Sequence, residues 1–332
     1  MTSVGPLGLV VPDRQLESDI RGGIASVEGM LRDAVKSDYP FVTETSRHLV
    51  EAGGKRFRPL LVLLAAQFGD PNAPGVLRAA VVVELTHLAT LYHDDVMDEA
   101  LVRRGTVSAN ARWSNTIAIL TGDFLFSRAS DMLADLGPEA VRIQARTFER
   151  LVQGQIRETI GPEPGVDPLA HYLQVVADKT GSLISTSARF GAMFSGAPEP
   201  VADVMIRYGE RIGVAFQLSD DLLDITSEST DSGKTPGTDL REGVTTLPVL
   251  HARRSTDPSD ARLLELLGAD LSDDDRHRET LALLRAHSAI KATRADLERW
   301  AADARETLTP LPDSPAKQAL DSMCDFVVAR TS

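Results

Sequence analysis

The chain has 332 residues, 42% of them hydrophobic and 25% charged, which is enough to bury a large core and excludes a disordered or fibrous protein. A formal net charge of −13 argues against nucleic acid as a partner, because phosphate backbones are bound by clustered Lys and Arg. Cys324 is the only cysteine, which excludes an intrachain disulfide and a zinc-binding cysteine cluster and favours a reducing cytoplasm as the location.

The N-terminal stretch MTSVGPLGLVVPDRQ lacks the basic segment and the long apolar segment of a signal peptide. The apolar run AAVVVELTHLATLY ends after 14 residues and contains Glu84 and His87. A membrane-spanning helix needs roughly 20 mostly apolar residues. We therefore expect no transmembrane segment.

Predicted helices follow one another along the whole chain, because apolar residues recur at i, i+3 and i+4 among Ala, Leu, Glu and Arg. Alternating β-branched runs bounded by hairpin dipeptides are missing, which favours an all-α fold. Turns rich in Gly, Pro and Asp separate the helices. In chain order the predicted helices cover residues 10–37, 59–68, 75–92, 116–136, 139–158, 167–195, 201–226, 246–254, 262–267, 274–290 and 292–308.

No linker and no internal repeat divides the chain, so we predict one domain over residues 1–332. About the first 20 residues are left open as a flexible segment. The acidic stretch STDPSDARLLELLGADLSDDDRHRE leaves open a separate C-terminal subregion.

Three carboxylates follow the predicted helix 75–92 in the stretch HDDVMDEA, and the stretch SDDLLDIT repeats the pattern at the end of helix 201–226. Asp94 and Asp98, like Asp220 and Asp224, therefore lie on one helical face, about 6 Å apart along the axis. Such carboxylates repel one another, and the macrodipole disfavours them at a helix C-terminus. A bound cation is expected. Mg²⁺ fits, because it takes one or two carboxylates and fills its other sites with water and phosphate oxygens.

A single DDxxD motif is more often a solvated acidic face than a metal site, so its surroundings decide the interpretation. On the first helix, Glu84 and His87 precede Asp94 and Asp98 in one polar stripe, and on the second helix Gln217 precedes the aspartates in the same way. Two such stripes at the ends of apolar helices indicate a cavity with carboxylates at its mouth and hydrocarbon below.

Basic residues occur in four short motifs: GGKRFRP, RRG, KTG and SGKTPG. Arg and Lys bind phosphate oxygens, and Gly lets the backbone approach an anion closely. Taken alone, each motif is more often a solvated surface charge. SGKT resembles the end of a nucleotide-binding P-loop, but Glu228 stands where the first Gly is needed, which excludes one. Together, the acidic and basic motifs favour a diphosphate held through metal ions.

The motifs GGKRFRP, HDDVMDEALVRRG, GDFLF, KTGSLIS, FQLSDDLLDI and GKTPGTDLREGVTTLP follow one another along most of the chain. In this set the chain resembles the trans-type polyprenyl diphosphate synthases, most closely the bacterial members that make medium and long chains. The resemblance implies an all-α isoprenoid synthase fold with antiparallel helices around a central cavity. It also implies a cytoplasmic homodimer that condenses isopentenyl diphosphate head-to-tail with an allylic diphosphate, farnesyl or geranylgeranyl, and releases pyrophosphate.

The resemblance implies a role for each matched residue. Magnesium ions, three when a diphosphate is bound, would be held by Asp94, Asp98 and Asp220, with Asp95, Asp221 and Asp224 as direct ligands or supports. The allylic diphosphate would be bound by Arg103, Lys179 and Lys234, and isopentenyl diphosphate by Lys55, Arg58, His87 and Arg104. Oxygens near the allylic cation would come from Thr180 and Gln217, and Asp239 would organise the loop after the second aspartate motif.

Product length depends, in the family, on the residues four and five positions before the first aspartate motif, where bulky side chains block the growing chain. These residues are Thr90 and Ala89, both small, so we expect more than four isoprene units, about six to ten. The tunnel floor is left open among Phe124, Phe126 and Met132.

Several interpretations stay open. A geranylgeranyl diphosphate synthase differs only in product length. A noncatalytic subunit of a heteromeric synthase typically loses aspartates, a terpene cyclase usually has Asn, Ser and Glu where this chain has DDLLD, and a structural helical protein needs none of the matched basic residues. Gln155 departs from the Glu that many members carry. Contact with a membrane, if any, is expected to be transient and to serve product release.

Overall fold

Sixteen α-helices and one short hairpin make up the described part of the computed structural model, which comprises residues 13–227 and 236–331. The all-α prediction is confirmed. In chain order the elements are α1 Arg14–Ala34, α2 Pro40–Glu51, α3 Phe57–Ala65, α4 Pro74–Met97, β1 Val102–Arg103, β2 Thr106–Val107, α5 Ala109–Arg112, α6 Asn115–Ala134, α7 Pro138–Ile160, α8 Pro168–Val176, α9 Ser182–Phe194, α10 Glu199–Thr226, α11 Thr238–Arg241, α12 Leu247–Ala252, α13 Ala261–Leu266, α14 Asp274–Ala286, α15 Ser288–Thr307 and α16 Pro315–Ala329.

Two long helices and the hairpin were missing from the sequence predictions. Helix α2 buries Thr45, Ser46 and His48 beside Leu49 and Val50, so polar side chains on its inner face obscure the apolar spacing. Helix α16 does carry a recognisable start, because the hydroxyl of Ser314 accepts from the backbone N–H of Lys317 and Pro315 occupies the first turn. The two-residue strands β1 and β2 pair antiparallel and are too short for an alternating pattern.

Several predicted helix boundaries also shift; the predicted helix 274–290, for example, ends at Ala286, and α15 begins at Ser288. Helix α1 begins at Arg14, where Asp13 accepts from the backbone N–H of Leu16, and residues 10–12 lie outside the described residues. Leu16 and Ile20 are already buried in the core. The predicted helix 167–195 is divided by a π-helical turn, Ala177–Gly181, between α8 and α9.

The core is centred on α3, α4, α9 and α10, which pack with little space between their backbones. Gly191 of α9 shows this most clearly, since a Cβ there would lie 2.2 Å from the backbone oxygen of Val62 on α3. At Gly209 of α10 a Cβ would lie 2.4 Å from the Cα of Ser185. Glycine at these positions permits α9 to pack closely against both α3 and α10.

A smaller apolar cluster lies at the C-terminal end of α10. Ile225 packs there with Leu240, Val249, Leu263 and Leu284, which come from helices α11 to α14. The acidic stretch noted in the sequence therefore contributes buried leucines that support the end of α10.

Helix α4 is 24 residues long, longer than its apolar run indicated, because the helix continues through the aspartate motif to Met97. Within the described residues it is the one helix that is long and apolar enough to span a membrane. However, 72% of its most apolar window is buried inside the protein, as for a core helix.

Candidate active site

Helices α4 and α10 end at the same side of the molecule, and each ends in an aspartate motif. Three further segments reach this side: the glycine turn before α3, the hairpin β1–β2, and the π turn Ala177–Gly181. The ion pairs described below join these segments, which are far apart in the sequence. These segments carry most of the residues that the motifs predicted to form a site.

The first aspartate motif divides into two carboxylates that face the site and one that supports it. Asp95 is fully buried and accepts a hydrogen bond from Nε of Arg103 at 2.5 Å, while Arg103 also lies 3.9 Å from the carboxylate of Asp98. Burial raises the pKa of Asp94 to about 6, Lys179 opposes the rise, and Asp98 adds to it. Arg103 therefore links Asp95 to Asp98. The carboxylate oxygens of Asp94 and Asp98 are the ones that face the site.

The second aspartate motif divides in the same way. Asp220 contacts the guanidinium of Arg330 and lies 3.9 Å from Nζ of Lys55. Asp221 is buried and accepts hydrogen bonds from the hydroxyl of Tyr172 and, at 3.0 Å, from Nε2 of Gln217. Burial, followed by the charge of Asp239, raises the pKa of Asp221 to about 7. Asp220 thus faces the site and Asp221 supports it.

Asp224 fixes the loop that follows the second motif. Its carboxylate accepts the backbone N–H groups of Thr238 and Asp239, each at 3.2 Å, at the start of the short helix α11. Its backbone oxygen also accepts the N–H of Gly237 at 2.7 Å. Asp239 therefore stands beside Asp221 because Asp224 anchors its backbone. Lys234, which the sequence assigned to the allylic diphosphate, lies outside the described residues.

The π turn connects the two motifs. Nζ of Lys179 donates to Glu158 of α7 at 2.5 Å, and although burial lowers the pKa of Lys179, Glu158 and Asp94 raise it overall. The hydroxyl of Thr180 donates to Oε1 of Gln217 at 3.1 Å, the same amide that donates to the second motif. Two consecutive residues of the turn thus serve different motifs: Lys179 lies near the first, and Thr180 is bonded to Gln217, which bonds the second.

A separate basic group lies beside Glu84. Arg56 donates to this carboxylate at 2.8 Å, and Arg104 lies 3.6 Å from it and donates to the backbone oxygens of Leu49 and Gly53. Gly54 has φ 143° and packs on Arg104, since a Cβ there would lie 2.9 Å from the guanidinium carbon. The glycine turn therefore packs directly against the guanidinium of Arg104.

Arg58 and His87 complete this group. Burial lowers the pKa of Arg58 to about 10, and the carboxylate of Glu84 opposes the change. Burial, with the charges of Arg58 and Arg104, lowers the pKa of His87 well below its usual range, so its imidazole is neutral. The predicted residues Arg58, His87 and Arg104 are thus close neighbours, and Lys55 stands apart from them toward Asp220.

Sequence reasoning missed several members of the site. Arg330 stacks on Phe216 at 4.7 Å, Lys55 lies 5.6 Å from the same ring, and nitrogen Nη1 of Arg330 is buried and bonds none of the described residues. No motif surrounds Arg330, and Tyr172 likewise had no signal. Glu84 was predicted as part of a cavity stripe, whereas it is 1% exposed and balances two arginines.

The residues proposed to set product length are buried on α4. Ala89 packs against α6, where a Cβ on Gly122 would lie 3.1 Å from its backbone oxygen, and the hydroxyl of Thr90 donates to the backbone oxygen of His87 at 2.8 Å. Phe126 packs on Phe148 with ring centroids 4.5 Å apart. The other floor candidates lie elsewhere: Phe124 lines an outer cleft with Lys36 and Arg128, and Met132 packs against the core. The side-chain oxygen of Gln155 is buried and bonds none of the described residues.

The donors suit a divalent cation that arrives with its own oxygen ligands. Within residues 13–227 and 236–331, no three His, Cys, Asp or Glu side chains are close enough to enclose a metal ion by themselves. Mg²⁺ characteristically binds through one or two carboxylates and completes its shell with water and phosphate oxygens. Half-buried Asp94, whose carboxylate accepts no hydrogen bond from the described residues, and partly exposed Asp98 and Asp220 fit that pattern.

Comparisons with known proteins agree with this geometry. The profile of the polyprenyl synthetase family matches residues 39–284. The chain is 49% identical over 97% of both chains to a nonaprenyl diphosphate synthase of Mycobacterium tuberculosis, and 41% identical over 96% of this chain and 97% of the other to a dimethylallyltranstransferase of the same organism. A geranylgeranyl pyrophosphate synthase from Corynebacterium glutamicum, complexed with calcium and isoprenyl diphosphate, superposes with a TM-score of 0.86 at 44% identity, covering 97% of this chain and 99% of that one.

Glu84 allows a test of the charge balance beneath the basic group. Replacing Glu84 by Gln leaves Arg56 and Arg104 without their shared carboxylate, and an uncompensated buried charge costs about 3 kcal/mol or more. We expect the free energy of unfolding in urea to fall by about that amount. As a control, Glu44→Gln removes an exposed, single-bonded pair with Arg112 and should leave stability unchanged. Equal stability of the two variants would contradict the assignment.

Proposed function

The chain belongs to the polyprenyl synthetase family, and from this premise we propose that it condenses isopentenyl diphosphate head-to-tail with an allylic diphosphate. The products are pyrophosphate and an all-trans polyprenyl diphosphate, and the enzyme is a prenyltransferase. The observation that carries the proposal is the convergence of two aspartate motifs with two basic groups: Arg103 and Lys179 beside the first motif, and Arg58 and Arg104 with His87 around Glu84. Two groups are what two diphosphate substrates require.

The allylic diphosphate is assigned to the aspartate side of the site. Asp94, Asp98 and Asp220 are the proposed metal ligands, with Arg103 and Lys179 as cations beside them and Lys234 added by motif. Mg²⁺ bound there would neutralise charge that develops on the departing pyrophosphate. Asp95, Asp221 and Asp224 are proposed as supports. Arg103 engages Oδ1 of Asp95, Tyr172 and Gln217 engage the carboxylate of Asp221, and the loop backbone engages that of Asp224. Three metal ions are proposed for the state with diphosphate bound.

Isopentenyl diphosphate is assigned to the basic side. Arg58, His87 and Arg104 are proposed to bind its phosphates, together with Lys55, and the neutral imidazole of His87 can donate a hydrogen bond without adding charge. Arg330 is an additional candidate, because it lies with Lys55 on Phe216 and its Nη1 is buried. Holding the two substrates from opposite sides supplies proximity for the attack of the isopentenyl double bond.

The allylic cation is proposed to form between these groups. The oxygens of Thr180 and Gln217 provide dipoles near it, and the apolar side chains below exclude water that would otherwise quench it. The departing pyrophosphate is proposed to take the final proton, so the reaction needs no protein base.

Turnover tests the proposal directly. Purified protein incubated with isopentenyl diphosphate, farnesyl or geranylgeranyl diphosphate and Mg²⁺ should give extended products by mass analysis. Asp94→Ala removes a proposed metal ligand and should abolish turnover, while Asp303→Ala, an exposed aspartate on α15, should not. No extended product from the unmodified protein would overturn the proposed activity, and full activity of Asp94→Ala would overturn the ligand assignment.

The proposed product has about six to ten isoprene units. Support comes from the small residues Ala89 and Thr90 and from the similarity to a nonaprenyl diphosphate synthase. A geranylgeranyl product is the second candidate, favoured by the solved Corynebacterium relative.

Product length can be tested at the same two positions. Ala89→Phe and Thr90→Phe place a ring beneath the first aspartate motif, where we expect it to stop elongation early and shorten the product. The measurement is the mass distribution of products, with melting temperature recorded because overpacking a buried position destabilises by about 1–3 kcal/mol. An unchanged distribution from folded, active variants would show that the chain grows elsewhere.

We propose a cytoplasmic homodimer. Helix α7 exposes Val141 and Val152 on one face, and Ile119 of α6 is also exposed; we propose that these apolar side chains contact a second copy of the chain. A homodimer interface is typically more apolar than the remaining surface. The complete aspartate motifs argue against a noncatalytic subunit, and contact with a membrane is proposed only for product release.

Charged residues on this surface should prevent association. Val141→Lys combined with Val152→Lys should give a monomer by sedimentation velocity, because two ammonium groups would have to be buried per chain. Leu283→Lys, on the exposed side of α14, serves as the matched control and should leave the dimer intact. A dimer that survives the double substitution would place the interface elsewhere.

A further inference from the structure

The π turn Ala177–Gly181 presents its side chains in two directions. Lys179 and Thr180 reach the aspartate motifs, whereas Asp178, immediately before them, faces α7 and is 4% exposed. A π turn is an uncommon interruption of an α-helix and is often associated with function. What holds this turn in place therefore decides where Lys179 and Thr180 stand.

Asp178 is held by three donors. Nε of Arg150 lies 3.2 Å from its Oδ1, a guanidinium nitrogen of Arg157 contacts its Oδ2, and Nε2 of Gln174 donates to Oδ2 at 2.8 Å. The two arginines lie two turns apart on α7, so their side chains contact the Asp178 carboxylate from both sides. Charge-assisted hydrogen bonds of this kind are stronger and more directional than neutral ones.

Backbone contact at the same point is equally close. A Cβ on Gly154 of α7 would lie 2.8 Å from the backbone nitrogen of Lys179 and 3.0 Å from Cβ of Asp178. The turn is thus seated directly on α7, between the two arginines. Arg150 also donates to Glu210 of α10 at 2.6 Å, which ties the turn to the helix of the second aspartate motif.

We propose that Asp178 is a positioning residue, which through Arg150 and Arg157 locks the π turn so that Lys179 stands beside Asp94 and Thr180 stays bonded to Gln217. This inference rests on the proposed function, in which both residues serve the allylic diphosphate. Asp178 itself touches no substrate. Its side chain acts only through the geometry of the next two residues.

The expected consequence is selective. Loss of the contacts between Asp178 and the arginines displaces Lys179 and Thr180 on the allylic side. The basic residues Arg58, His87 and Arg104 lie on other segments and keep their positions. Misplacement of reacting groups by about 1 Å can cost on the order of 100-fold in rate, and loss of a supporting partner typically costs about 10- to 100-fold in ligand affinity.

The test uses Asp178→Asn and Arg157→Gln in the full-length protein, with Arg157→Lys as the conservative variant. We expect both disruptive variants to raise KM for the allylic substrate and lower kcat, with KM for isopentenyl diphosphate unchanged, and Arg157→Lys to restore most of the loss. Affinity for inorganic pyrophosphate with Mg²⁺, measured by calorimetry, should fall about tenfold. In the double variant the losses should not add, because both remove the same contacts.

Arg142→Gln is the matched control, because it removes an exposed ion pair with Glu139 on the same helix. It should change neither KM nor pyrophosphate affinity. The positioning role would be overturned if the folded variants kept both KM values and the pyrophosphate affinity within twofold. A lower active fraction or melting temperature alone would then be their only defect. Failure of the proposed function would instead appear as unmodified protein that makes no extended product.

Discussion

The repulsion between carboxylates at the ends of α4 and α10 is the constraint on which the rest of the site depends. Each motif places two carboxylates one turn apart at a helix C-terminus, where neither neighbours nor the macrodipole favour them. The fold offsets part of this charge with its own cations, Arg103 below the first motif and Lys55 and Arg330 beside the second. The remaining offset is assigned to metal ions that enter with a diphosphate.

The same end of the molecule also buries a second set of cations, which needs a counter-charge of its own. Glu84 supplies it: this carboxylate is 1% exposed, pairs with Arg56 and Arg104, and opposes the effect of burial on the pKa of Arg58. Helix α4 therefore carries the counter-charge for one proposed substrate site and the proposed metal ligands of the other. Its length, extended beyond the apolar run to Met97, is what allows one helix to reach both.

Local spacing allowed much of this arrangement to be predicted from the sequence. The i, i+4 pairs, the basic motifs and the all-α class depend on nearby residues, and the family comparison and the helices confirmed the class. Contacts between distant residues could not be predicted: Arg330 is 110 positions from Asp220, and Tyr172 is 49 positions from Asp221. The role of Asp178 could not be predicted for a different reason. This residue lies immediately before the KTG motif, and its side chain faces away from the site toward arginines that no motif marks.

Joint completion of the site by metal and diphosphate is tested most directly by melting temperatures. These are measured for the metal-free protein with Mg²⁺, with inorganic pyrophosphate, and with both together. A ligand that binds only the native state raises the free energy of unfolding by RT ln(1 + L/Kd), where L is the free ligand concentration. If the aspartates and cations form one incomplete site, the two ligands together should raise the melting temperature well beyond the sum of their separate effects. Effects that simply add, or a full shift with pyrophosphate alone, would contradict the claim that metal and diphosphate complete the site jointly.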